Sequence, residues 1–98
     1  MALAEPSVIT IENKCEYDLA HIGLSRAGTK FDFDVLEEPL KPEKSVTVEI
    51  KNPLTVVDIL IWDTQGNWII HRNISLYNVS RILIYGDGSI ETEEQQEE

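Results

Sequence analysis

Two tryptophans and a charged pair are the residues best placed to hold a ligand. Trp62 and Trp68 flank Asp63-Thr64-Gln65-Gly66-Asn67. That stretch suits a three-residue hairpin loop, with Gly66 in the left-handed conformation that glycine adopts without a Cβ clash. The loop sets Trp62 opposite Trp68, Leu60 opposite Ile70 and Asp58 opposite Arg72, all on one face. Facing indoles beside an acid–base pair make a platform for a sugar ring or a partner's apolar side chain, because indole joins a large apolar body to an N–H donor. The plainer reading is that the indoles close one end of the core and Asp58–Arg72 is a surface cross-strand pair. Exposure of the two rings separates these readings. If both are buried, the platform is lost.

A second constellation is acidic. Asp32, Asp34, Glu37 and Glu38 cluster in one segment, and Asp63 and Asp87 fall in other turns. Calcium takes six to eight oxygens, so Asp32, Asp34, Asp63 and Asp87 would form a calcium-dependent site if those loops met. No Asp-x-Asp-x-Asp-Gly run with a distal glutamate occurs, and a solvated acidic surface is the plainer reading. His21, His71 and Cys15 lack the close spacing of zinc ligands. Cys15 sits in Asn13-Lys14-Cys15-Glu16, where Glu16 opposes and Lys14 favours a thiolate, and it reads as an ordinary thiol. No Gly-rich phosphate loop, nucleophile elbow or metalloprotease motif is present. The expectation is a non-enzyme with no cofactor.

The elements that must position these residues are strands. Ser45-Val46-Thr47-Val48-Glu49-Ile50-Lys51 alternates apolar and polar side chains, the pattern of a half-buried strand. Val8–Glu12, Leu19–Ser25, Val56–Trp62, Trp68–Ile74 and Ser80–Tyr85 are dense in β-branched and aromatic residues, which suit a pleated surface. Turn signals separate them at residues 26–29, 38–43, 51–53 and 86–88. The segment Phe31–Glu38 reads equally as a short strand, a helical turn or a loop. The expected fold class is all-β, a small and mostly antiparallel β-sandwich of about six to eight strands.

Charge and length narrow the class further. The chain has 98 residues and a net charge of -10, room for one domain with one modest core. Its last eight residues hold five glutamates and no apolar side chain, so 91–98 is expected to be a disordered acidic tail. Residues 1–6 are expected to be flexible and 7–90 to form the domain. Without the tail the net charge is -5, the five tail glutamates accounting for the difference. An acidic domain is a poor partner for nucleic acid or an anionic membrane. No apolar run reaches the roughly 18–20 residues of a membrane span. One cysteine allows no internal disulfide, and no signal peptide is visible. A cytoplasmic location is expected over a secreted one, unless a leader has been removed.

The order of these signals resembles a group of small bacterial β-sandwich domains of unassigned function. The resemblance rests on Ile11-Glu12-Asn13, on Ile22-Gly23-Leu24-Ser25, on Leu40-x-Pro42-x-x-Ser45-Val46, on Val57-Asp58-Ile59, on Asp63-x-x-Gly66 and on Asn73-Ile74-x-Leu76. It covers most of Ile9 to Ile84. It implies a β-sandwich fold and no established active site. The turn glycine of that pattern, before Ser45, is replaced at Glu43 or Lys44, and cysteines sometimes seen beside the central hairpin are missing. The functional expectation is therefore a non-catalytic binding or protein-interaction module. A carbohydrate-binding domain using Trp62 and Trp68, and a calcium-dependent binding domain, stand as alternatives. An open edge strand would offer a further route to a protein partner or a second copy, with Val8–Glu12 and Ser45–Lys51 the expected edges.

Overall fold

A computed structural model describes residues 7–28, 34–50 and 56–94. The described residues form seven strands: β1 (Ser7–Asn13), β2 (Leu19–Arg26), β3 (Ser45–Ile50), β4 (Val56–Asp63), β5 (Trp68–Ser75), β6 (Val79–Ile84) and β7 (Ile90–Glu94). They form a four-stranded sheet in the order β3-β1-β6-β7 and a three-stranded sheet in the order β2-β4-β5. Among the described strands four pairings are antiparallel, and one, β1 with β6, is parallel. The all-β class follows from the period of two. In β1, Ile9 and Ile11 point into the core while Val8 is exposed. In β4, Val57, Ile59 and Ile61 are buried, and Trp62 is exposed.

One apolar cluster joins the two sheets. Ile9, Ile11, Val48, Ile82 and Ile84 come from the larger sheet, and Ile22, Leu24, Val57, Ile59 and Ile61 from the smaller. At about 1.5–3 kcal/mol for each fully buried aliphatic side chain, this cluster is the main stabilising term. Residues 34–40 do not form a strand of their own. They run beside β2, touching it through single bridges between Gly23 and Asp34 and between Leu19 and Leu40.

Two expectations need correction. Val8–Glu12 is no edge, because β1 lies between β3 and β6; Ser45–Ile50 is an edge, and Lys51 lies outside the described residues. The segment after Ile90 also differs from expectation. Glu91–Glu94 extend β7 along β6, in register from Ile84↔Ile90 to Arg81↔Glu93 and then, past an irregularity, at Val79↔Glu94. The apolar content of that stretch is zero, but an edge strand is held by its backbone bonds. Its glutamates have partners across the sheet: Arg81 Nε lies 3.6 Å from Glu93 Oε1, and the Tyr85 hydroxyl donates to Glu91 Oε2 at 3.2 Å. Residues 1–6 and 95–98, the rest of the expected flexible ends, lie outside the described residues.

Candidate functional site: an aromatic row on the three-stranded sheet

The β4–β5 turn fixes everything on this sheet. Asp63 Oδ1 accepts the amides of Gln65 at 2.8 Å and Asn67 at 2.9 Å, and Oδ2 accepts Asn67 Nδ2 at 3.1 Å. Gly66 takes the left-handed conformation at φ 92°. Burial alone would raise the Asp63 carboxyl, but the hydrogen bonds from Asn67 and Gln65 outweigh it and hold it below the ordinary aspartate range. The turn therefore locks the register that sets Trp62 opposite Trp68 and Leu60 opposite Ile70.

Both indoles stand in solvent. Trp62 is 40% exposed and Trp68 60%, so they do not close the core. On its other side Trp62 faces His21 of β2. Their ring centroids are 6.1 Å apart with planes at 76°, the edge-to-face geometry that aromatic quadrupoles favour. His21, Trp62 and Trp68 thus make a row of three rings across all three strands. Asp34 Oδ2 lies 2.6 Å from His21 Nδ1, and Asp34 Oδ1 accepts the amides of Ile22 and Leu36. Burial alone would raise the Asp34 carboxyl; the Leu36 amide, His21 and the Ile22 amide together hold it below its ordinary range. Asp34 is therefore a clamp on β2 that orients the histidine.

Asp58 and Arg72 do pair, at 3.0 Å, but not as opposed residues of a regular ladder. Val57 pairs with Ile74 and Ile59 with His71, so Arg72 and Asn73 together oppose Asp58. This is a β-bulge, with Asn73 at φ 58°. The Asp58 carboxylate is 1% exposed. It accepts the amides of Asn73 at 3.0 Å and Gly28 at 3.1 Å as well as the guanidinium. Those amides, ahead of the charge of Arg72, hold its carboxyl below the ordinary range. Asp58 is spent on shaping the bulge, and Arg72 alone of the pair reaches solvent.

The acidic constellation is not brought together. Asp32 lies outside the described residues. Asp34 is on the flank of β2, while Asp63 and Asp87 face a common cavity at the turn end. Asp87 Oδ1 accepts both the amide and the hydroxyl of Ser89, at 2.9 and 2.6 Å. Among the described residues no group of three or more His, Cys, Asp or Glu side chains is placed to hold a metal ion. Cys15 is buried, and burial pushes its thiol up. His71 Nε2 lies 2.6 Å from the Gly88 carbonyl; a carbonyl only accepts, so Nε2 carries the proton. No described helix is long and apolar enough to cross a membrane.

His21 is the member of the aromatic row that motif reading does not reach. Its place depends on the pairing of β2 with β4, two strands separated by the whole of β3, and no local spacing encodes that register.

No family model matches the chain, and no curated protein sequence does. A protein from Eubacterium rectale, solved by NMR, is similar in structure at a TM-score of 0.63 and 13% identity, with 100% of this chain and 98% of that one covered. At that identity the likeness extends to the fold alone.

Proposed function

We propose that this chain is a β-sandwich binding module with no catalytic role, and that it docks an apolar segment of a partner protein on the outer face of its three-stranded sheet. The observation that carries the reading is the exposure of Trp62 and Trp68 side by side on adjacent strands. Large aromatic rings left in water at a fixed spacing cost solvation that docking recovers, and tryptophan leads the residues that dominate protein interfaces. Leu60 and Ile70, half-buried in the next row of the same face, extend the apolar contact, and exposed Arg72 supplies a polar rim.

Selection of peptides from a random displayed library against the protein tests this. Selected peptides are expected to bind at least about tenfold more weakly to Trp62→Ala and to Trp68→Ala. Peptides that bind the double variant equally well would remove the face as the docking site. The same exposed rings favour a carbohydrate as the second reading. Quenching of tryptophan fluorescence by a simple glycan, with no peptide selected, would put the sugar platform in its place.

A further inference from the structure

A cavity of about 350 Å³ opens at the end where β4 turns into β5 and β6 turns toward β7, within the range of small-molecule sites. Its floor is apolar: Cys15, Leu19, Ile61 and Ile84 are all buried. Tyr17, Tyr85 and Trp68 add aromatic surface. Tyr17 is fixed there because its hydroxyl donates to the Gly86 carbonyl at 2.8 Å. Its ring lies 4.0 Å from where a side chain on Gly86 would begin.

The charged side chains lining this cavity are of one sign, beside the neutral Gln65 and Asn67. Asp63 and Asp87 line it, and no lysine, arginine or histidine does among the described residues. Lys14, which acts on Tyr85 from outside, is held by Glu12 at 2.7 Å and Glu43 at 3.5 Å. Burial is the main cause that pushes up both the Cys15 thiol and the Tyr17 phenol, and behind the interaction of these two groups with each other the charges of Asp63 and Asp87 push in the same direction. The negative potential of the two carboxylates therefore reaches the floor and the wall.

We propose that this cavity binds a small organic cation, an ammonium group carried on an apolar or aromatic body. The body displaces water from the Leu19–Ile61–Ile84 floor, and the ammonium meets Asp87 at the mouth beside aromatic rings, whose faces attract cations. This site borders the docking face, sharing Trp68 with it, and is distinguished from it by what it needs. It needs Asp87 and not Trp62, whereas the face needs Trp62 and not Asp87.

The test is an amide NMR titration of the intact protein with 2-phenylethylammonium and with its neutral counterpart 2-phenylethanol. The ammonium is expected to shift the amides of Gln65, Gly86 and Gly88 saturably, and to bind at least about fivefold more tightly than the alcohol. Asp87→Asn keeps an oxygen for Ser89, so the turn survives, and the preference should fall to about twofold. Trp62→Ala should leave the titration unchanged. Equal binding of the alcohol, shifts confined to other surfaces, or no shift up to about 10 mM ammonium would each overturn the proposal.

Discussion

Asn13 is a single side chain that ties three segments together. Fully buried, it donates through Nδ2 to the carbonyls of Tyr17 and Leu40, at 2.9 and 2.8 Å, and accepts the Cys15 amide at 2.8 Å. Asn13→Ala leaves the Tyr17 carbonyl and the Cys15 amide without their partner, while the Leu40 carbonyl keeps the Leu19 amide, and each such loss costs about 1–3 kcal/mol. A destabilisation of about 2–4 kcal/mol is expected in urea unfolding, with no change in slope. A loss below about 0.5 kcal/mol would mean that the turn reorganises freely. The carboxylates give a pH prediction. Asp34, Asp58, Asp63 and Asp87 are all held below the ordinary aspartate range. A carboxyl whose value is lower folded than unfolded adds stability above the unfolded value of about 3.9, and loses that contribution as pH falls through the folded value. Stability should therefore fall as the solution is taken below about pH 3.9. Asp58→Asn should be less stable at neutral pH and show a shallower acid limb, since its amide nitrogen cannot accept from both Gly28 and Arg72. Parallel acid limbs for the two proteins would refute the role given to Asp58.

At the scale of elements, the strands with local signals were legible and the long-range pairings were not. Alternation and β-branched density located β1 to β6 to within a residue or two, and Asp63-x-x-Gly66 located the turn and its register. The parallel pairing of β1 with β6 joins residues about 70 apart in sequence, and nothing in either strand alone specifies it. The bulge at Asn73 was hidden for a related reason. It is written in the amides that Asp58 gathers from two segments, and simple alternation would have continued through it. A left-handed φ tolerates Asn and Gly but penalises a β-branched residue by about 1–2 kcal/mol. Asn73→Gly should unfold within about 0.5 kcal/mol of the parent and Asn73→Val at least about 1 kcal/mol earlier. The strand β7 escaped because composition reports what a segment can bury, and Glu91–Glu94 bury almost nothing. Ending the chain at Ile90 should cost about 2–4 kcal/mol in a thermal melt, the net worth of several ladder hydrogen bonds.

At the scale of the molecule, the glutamates of β7 have a second consequence. Among the described residues both sheets are open, and their edges are β3, β7, β5 and β2, the last partly covered by residues 34–40. An open edge offers unpaired amides and carbonyls to any extended chain, including another copy. The edge formed by β7 carries Glu91, Glu93 and Glu94 on a chain whose net charge is -10. Two such edges brought together would set like charges about 5 Å apart. Of the three, Glu91 and Glu93 have internal partners, Tyr85 and Arg81, and those partners are already shared across the sheet and cannot neutralise a second row. The charge is thus spread along the one edge whose side chains add least to the core, where it opposes pairing without weakening burial. The wild-type chain is expected to sediment as a monomer at about 0.02 M and about 0.15 M salt, where the screening length is still longer than the strand spacing. Replacing Glu91, Glu93 and Glu94 together by threonine keeps strand propensity and takes the net charge to -7, the three lost carboxylates accounting for the difference. That variant should associate in a concentration-dependent way in sedimentation velocity while keeping the far-ultraviolet signature of the parent. A variant that stays monomeric would show that the edge is protected by its shape and not by its charge, and a wild-type dimer at both salts would place self-recruitment on β3 or β5.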